Sequence, residues 1–469
     1  VWAFFGALLH GAIPSIMPFL TEKLSPEQYR ASLSALFDVT NPAGVMTFSD
    51  FMPELAQAAQ NLPKTKILLP PNQSQNLYID FSACKGLERL EKDIVLLQHS
   101  SGTTGLQKGV ALSHEAIINQ IDSYSRAIDL RADDVVVSWL PLYHDMGLIA
   151  GFILPILSGV QLVLMSPLDW VKAPYRMLHS VTRYRGTLTW LPNFAFNFCS
   201  QKIRTRDLEG VDLSSWRAVI NCSEPTIWDS HQQFIERFQP YGLDPHAVAT
   251  SYAMAENVFA VTQSNINLPL TVDYIDKDII ASENRAVPSS CDECTVEMRS
   301  AGIPIDNTQI RIIDVDNHDL AERHIGQIAI KSDCMLSGYY HRPDLTATSF
   351  LEGWYLSGDL GYIANGELFV TGRMKDIIIV GGKNVYPQDI ERLAYQVEDV
   401  YPGRAVAFGI FNEHTGTEDV VIVAESEAQD DDERRIIANH IRQNVTKGSA
   451  IALRFVELVE RGWLIKTSS

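Results

Sequence analysis

Short apolar, β-branched runs alternate with helix-like stretches through the first half of the chain, and this alternation restricts the fold more than any other feature. Val135-Val-Val-Ser-Trp139, Val160-Gln-Leu-Val-Leu164 and Ala218-Val-Ile-Asn221 predict buried strands. Ser113–Ile128 and Asp229–Phe238 predict helices between them. Such an order is satisfied by α/β units around a largely parallel sheet, where ligands settle at the carboxyl ends of strands. The expected fold class is α/β: a large N-terminal domain of parallel-rich sheets with helices, a β-rich part, and a small α+β C-terminal domain.

The 469 residues suit roughly two to four units at about 150 residues each. The large domain is placed at 1–372, with its β-rich part over about 301–372. Asn-Gly in Ala364-Asn-Gly366 predicts a hairpin turn there. Residues 263–300 are polar and suggest an irregular insertion or long loop. After Gly372-Arg-Met-Lys-Asp376 the texture resets, which places a domain boundary at 373–376 and a small domain at 377–469. There, strands are expected at Asp376–Val380, Ala405–Phe411, Val420–Glu425 and Leu453–Leu458, with helices over Pro387–Val397 and Glu433–Asn444. The apolar opening, Val1 to Pro14, carries His10 and lacks a basic lead, so a buried helix running into a strand is expected and not a membrane span. The first residue is not Met, so the chain is expected to begin inside a longer polypeptide.

A formal net charge of −19 disfavours nucleic acid as the main partner, though one nucleotide needs only a local cationic pocket. Six scattered cysteines fit a reducing, cytoplasmic setting. Cys291-Asp-Glu-Cys294 stands without a second pair, so two thiols in a polar loop is a better reading than a metal or redox site.

One loop carries phosphate chemistry: His99-Ser-Ser-Gly-Thr-Thr-Gly-Leu-Gln-Lys-Gly109. Gly102, Gly105 and Gly109 free the backbone so that successive amides can face one anion. Ser100, Ser101, Thr103 and Thr104 add hydroxyls, and Lys108 adds a point charge. The loop follows the apolar run Asp93–Gln98 and precedes a helix at Ser113, a common setting for a phosphate loop. Lys108 is followed by Gly, so it is not the Walker pattern. Taken alone, a Gly/Ser/Thr-rich surface turn explains these residues equally well.

Further motifs follow in order: Trp139-Leu-Pro-Leu-Tyr-His-Asp-Met-Gly147, Pro192-Asn-Phe-Ala-Phe196, Asn221-Cys-Ser-Glu-Pro225, Ser251-Tyr-Ala-Met-Ala-Glu256, Gly338-Tyr-Tyr340, Gly353-Trp-Tyr-Leu-Ser-Gly-Asp359, Gly372-Arg-Met-Lys-Asp376 and Gly382-Lys-Asn-Val-Tyr-Pro-Gln-Asp-Ile-Glu391. Over nearly the whole chain this order resembles the adenylate-forming superfamily of acyl-CoA synthetases, adenylation domains and luciferases, and most of all the fatty acyl-AMP ligases.

The resemblance implies ATP and Mg²⁺ as cofactors, with roles for matching positions. Thr103, Thr104 and Lys108 would hold the outer phosphates, and Ser223, Glu224 and Pro225 would line the base. Tyr252, followed by Ala253, would stack on adenine, and Glu256 would ligate Mg²⁺. Asp359 would accept from the ribose hydroxyls and Arg373 donate to the sugar. His144 would stand between nucleotide and acid and orient the carboxylate, although a His beside an aromatic is more often structural. Met146, Gly147 and Phe194 would line the acid pocket, together with Phe196 and Phe198; each aromatic singly is as well explained by core packing. Lys375 would be the hinge.

Three departures stand in the motifs: Gln107 where proline is usual, Ala253 for glycine and Ala255 for threonine. The chain stops at Leu464-Ile-Lys-Thr-Ser-Ser469, and Lys466 does not match the C-terminal lysine of relatives, so weak adenylation by this polypeptide is expected. An apolar pocket without a pairing acid favours a fatty acid over an amino acid. The stretch 263–300 lies where fatty acyl-AMP ligases carry an insertion, and that likeness implies transfer to the phosphopantetheine of an acyl carrier protein; an acyl-CoA synthetase using free CoA, or an aryl-acid activator, is the runner-up. A non-catalytic adenylate- or acyl-binding domain is the other class; retained Lys108, Glu256, Asp359 and Arg373 argue against it.

Overall fold

The computed structural model describes residues 1–17, 26–60, 64–70, 80–100, 108–224, 226, 228–266, 268–290, 294–380, 383–412, 417–428, 430–449 and 451–464. Its centre is a seven-stranded sheet ordered Ile303–Pro304, Ala260–Gln263, Val248–Ala253, Ala218–Asn221, Leu188–Leu191, Val135–Ser138, Gln161–Leu164. The last five run parallel, and the three expected strands are among them. Leu188–Leu191 and Ala218–Asn221 are buried at every position, which is why both are mostly apolar without a regular alternation.

Helix His114–Ala127 begins where its sequence predicts a start: the Ser113 hydroxyl accepts the Ala116 amide at 3.1 Å, a cap worth about 1 kcal/mol. Trp228–Phe238 packs against Asn193–Lys202, with the Phe196 and Phe234 rings edge to face at 5.0 Å. The chain passes from Val135–Ser138 outward to Gln161–Leu164, then returns to Leu188–Leu191 on the other side. The crossovers therefore diverge between Val135–Ser138 and Leu188–Leu191, and a doubly wound sheet opens its crevice at such a switch point.

A five-stranded antiparallel sheet holds Thr308–Ile313, Gly326–Ser332, Trp354–Ala364, Phe350–Leu351 and Glu367–Arg373. Its hairpin turns at Asn365 and Gly366, both at positive φ, as the Asn-Gly pair requires. Gly338–Tyr339 leaves this region to join Ile94–Ser100 and Lys108–Ser113 in a three-stranded sheet. A separate buried cluster spans Ile378 to Leu458, formed by the sheet Val400–Asn412, Thr417–Ser426, Leu453–Val459 and the helices Pro387–Tyr395 and Asp431–Ser449.

Three expectations are corrected. The opening forms helix Trp2–His10, but Trp2 is 89% exposed and Phe4 is the residue buried; Gly11 ends the helix at φ 80°. Among the described residues it leads to a single bridge between Ser15 and Leu97 and not to a strand. Residues 263–300 are not an irregular loop. Val272–Asp276 pairs with Thr295–Arg299, and helix Lys277–Glu283 rises between them. Ile275, Ile280 and Ala286 bury against Tyr362 and Phe369 of the five-stranded sheet, and Asp273 accepts from Arg323 at 2.9 Å and Tyr362 at 2.8 Å. Last, the glycine-rich loop does not run from a strand into a helix. Ser100 pairs with Lys108 and His99 with Gly109, so the segment is flanked by two paired antiparallel strands, and the helix at His114 begins only after the second of them.

Candidate active site

Four of the five parallel strands deliver a sequence-predicted residue at the carboxyl end. After Ser138 come Trp139 to Gly147; after Leu191, Phe194; after Asn221, Ser223 and Glu224; and Val248–Ala253 carries Tyr252 and Ala253 at its end, with Glu256 just beyond. Arg373 and Asp359 approach from the five-stranded sheet and Lys108 from the three-stranded one.

At the nucleotide end, Tyr252 donates its hydroxyl to Asp359 at 2.6 Å, and Arg373 Nε lies 3.3 Å from the same carboxylate. Burial pushes the Asp359 carboxyl up from its ordinary range, and the Tyr252 hydroxyl and Arg373 only partly restore it. At the other end, Tyr339 donates to Glu256 Oε1 at 2.9 Å, and its ring lies 5.1 Å below Lys108 Nζ. Burial raises the Glu256 carboxyl too, against the pull of Tyr339 and Lys108. Tyr355 contacts the Tyr339 hydroxyl at 3.1 Å, and burial beside the Glu256 carboxyl raises its own hydroxyl pKa.

His144 stands on the third side. Its Nδ1 lies 2.6 Å from Asp145 Oδ1, which also accepts the Met146 amide at 2.7 Å and so starts a π-helix over Met146–Ile153. Burial disfavours a charged imidazole, but Asp145 and Glu224 outweigh it and leave the His144 pKa above its ordinary value. The Glu224 side chain accepts the Phe194 amide at 2.8 Å and adds to the field at His144. Gly147 is required by space, since a Cβ there would stand 2.2 Å from the Pro141 carbonyl oxygen. Met146 Sδ contacts the buried Cys222 thiol at 3.0 Å.

Phe194 is 46% exposed and presents its edge to the stacked rings of Trp139 and Trp170. Phe198 leans on Trp170 at 5.2 Å. Phe196 is corrected from pocket wall to core: it is fully buried between His231 and Phe234. Ser223 holds a positive φ of 71° at the turn leaving its strand. Ser101, Gly102, Thr103, Thr104, Gly105 and Pro225 lie outside the described residues, as does the Ser100 side chain. Lys375 sits in the turn Met374–Asp376 between the two buried clusters. Sequence reasoning missed Asp145, Tyr339 and Tyr355; all three lie inside quoted motifs, but nothing in their spacing assigns them chemistry.

The sequence model of the AMP-binding enzyme family matches residues 1–340. This chain belongs to that family. The AMP-binding enzyme is 33% identical to Rv1013 of Mycobacterium tuberculosis, a protein named only as a ligase, over 81% of this chain and 70% of that one. It is 31% identical to the medium-chain-fatty-acid–[acyl-carrier-protein] ligase JamA of Moorena producens, over 80% of this chain and 66% of that one. Among solved structures it matches one from a study of fatty acyl-adenylate ligases of E. coli and L. pneumophila, with a TM-score of 0.88 and 27% identity over 100% of this chain and 82% of that one. This AMP-binding enzyme is a ligase of the acid–AMP type that uses ATP, and it shares the α/β fold of adenylate-forming enzymes. Among the described residues no helix is long and apolar enough to cross a membrane.

Proposed function

We propose that the chain joins a fatty acid to AMP and then passes the acyl group to the phosphopantetheine thiol of an acyl carrier protein. The observation that carries this reading is the convergence of Lys108, His144, Glu256 and the Tyr252–Asp359–Arg373 set at the carboxyl ends of the parallel strands. Ser100, Ser101, Gly102, Thr103, Thr104 and Gly105 complete the phosphate grip with Lys108. Ser223, Glu224, Pro225 and Ala253 line the base, and Met146, Gly147 and Phe194 line the acid pocket.

Glu256 suits a hard divalent cation. Its carboxyl uses one oxygen for Tyr339 and keeps lone pairs to spare, and a carboxyl raised by burial regains its charge beside a cation. Mg²⁺ bound there supplies charge neutralisation for the departing pyrophosphate. A fatty acid is already ionised near neutral pH, so no base is needed to start the reaction. Imidazolium at His144 orients the carboxylate, and Lys108 screens the triphosphate from it. A carboxylate oxygen bonds to the α-phosphorus as the bond to pyrophosphate breaks. The thiol then attacks the acyl carbon, a thioester forms, AMP leaves, and the thiol proton passes to solvent.

The acceptor assignment draws on JamA, named for a carrier-protein acceptor, and on the inserted hairpin. Helix Lys277–Glu283 of that hairpin lies against the strand Lys383–Val385 beyond the proposed hinge Lys375. We take 1–372 and 377–469 as two bodies that reorient between the half-reactions, with the hairpin limiting how far they open. Radiolabelled ATP with a panel of fatty acids, followed by CoA or holo carrier protein, tests this. Acyl-AMP and transfer to carrier protein alone are expected. Acyl-CoA formation would reassign the acceptor, and no adenylate with any acid would make the chain a binding module.

A further inference from the structure

Tyr339 belongs to none of the roles above, yet it touches two of them. Strand Gly338–Tyr339 pairs with Lys108–Ser113 through Tyr339 opposite Val110, and the Tyr340 amide donates to the Gly109 carbonyl at 2.7 Å. A few residues earlier the Leu336 amide donates to the Glu256 carbonyl at 2.7 Å. The backbone around Tyr339 is thus bonded on one side to the strand of Lys108 and on the other to the turn of Glu256. Its side chain repeats the connection, with the ring under the Lys108 ammonium and the hydroxyl on the Glu256 carboxylate. The hydroxyl can accept from Tyr355 while it donates to Glu256, which fixes its rotor. Both tyrosines are buried, at 4% and 5% exposure, so water competes poorly for either contact.

We propose that Tyr339 is a positioning residue that sets the phosphate-gripping cation and the metal-holding carboxylate at one fixed separation. The ring face seats Lys108, and the hydroxyl aims Glu256. The inference rests on the roles given to Lys108 and Glu256 above, and goes further by naming what holds them in register.

The two halves of the side chain can be removed separately. Y339F keeps the ring and loses the hydroxyl; Y339L loses both. Mn²⁺ binding is followed by electron paramagnetic resonance with a non-hydrolysable ATP analogue present, and ATP binding by calorimetry in EDTA. Y339F is expected to weaken Mn²⁺ binding about tenfold while metal-free ATP affinity stays within about twofold. Y339L is expected to weaken both, the second by about threefold or more. Wild-type Mn²⁺ affinity in Y339F overturns the proposal, as does a loss of metal-free ATP affinity in Y339F equal to that in Y339L. Should Y339L not fold, the Y339F/E256Q pair decides: less than additive losses of Mn²⁺ affinity support the tether, and additive losses overturn it. E256Q and K108M tested alone separate this idea from its foundation. If neither impairs its own ligand, the site roles fall; if both do and the Tyr339 variants do not, only the positioning role falls.

Discussion

Asp359 and Arg373 face each other across an antiparallel ladder, and the guanidinium Nε stands 3.3 Å from the carboxylate. Arg373 is the last residue of its strand and well exposed, so the pair sits where the five-stranded sheet gives way to the turn at Lys375. The Tyr252 hydroxyl fixes the same carboxylate from the central sheet. Asp359 is the more constrained partner, and its loss should matter more than that of the arginine.

Asp359→Asn should raise KM for ATP tenfold or more, because an amide offers a ribose hydroxyl a weaker acceptor than a charge-assisted one. Arg373→Met should cost less, given its exposure. Pyrophosphate exchange across an ATP series measures both, and equal KM values for Asp359→Asn and wild type would reject the ribose role.

The His144 charge gives acid binding a pH dependence. Its folded pKa is raised, so the imidazolium is present at low pH and is lost as pH rises through that value. KM for the fatty acid should therefore climb on the alkaline side in wild type and stay flat in His144→Gln. The same sign holds for stability: the contribution of this pairing is full below about 6.5, the unfolded value, and declines above it as pH passes the folded pKa.

Acid should act oppositely through two other histidines. Burial holds His231 down to about 3 and His99 to about 4, so both stay neutral in the fold while the unfolded chain takes up protons. Stability should fall as pH drops below about 6.5, at up to about 1.4 kcal/mol per pH unit for each group. Denaturant melts of His231→Asn between pH 7 and 5 should show a shallower slope than wild type.

Gly147→Ala should destabilise the chain by about 1–3 kcal/mol, because its Cβ would meet the Pro141 carbonyl inside a fully buried π-helix. Thermal unfolding measures it, and an unchanged midpoint would mean that the segment has room to shift.

Asp273→Ala should leave Arg323 and Tyr362 without their shared acceptor and loosen the inserted hairpin by about 1–3 kcal/mol. On the proposed reading, a looser hairpin admits free CoA, so the ratio of acyl-CoA to acyl-carrier product should rise. A stable variant with an unchanged ratio would count against the hairpin as the gate.

The parallel strands were legible because burial on both faces writes itself as unbroken runs such as Ala218–Asn221. The Ser113 cap and the Asn365-Gly366 turn were legible because each needs its own residue chemistry. The ordered hairpin within 263–300 was not. Its strands are joined through a helix, with no tight turn between them, and its apolar side chains find their partners in a sheet that comes later in the chain. Nor was the pairing of Ile94–Ser100 with Lys108–Ser113, because neither run says whether it pairs with the other or with something else. Among the aromatics, Phe194 and Phe196 are two residues apart and chemically identical; which one lies open and which is core was decided by the helix face.

Strand Trp354–Ala364 carries Tyr355, which steadies the carboxylate end of the site, and Asp359, which serves the sugar end. They are four positions apart, so no more than about 14 Å of backbone can lie between. On the proposed roles that stretch of backbone is a ruler laid along the nucleotide. A single residue inserted between Tyr355 and Asp359 would shift the sugar end against the metal end without replacing any group to which a role is given.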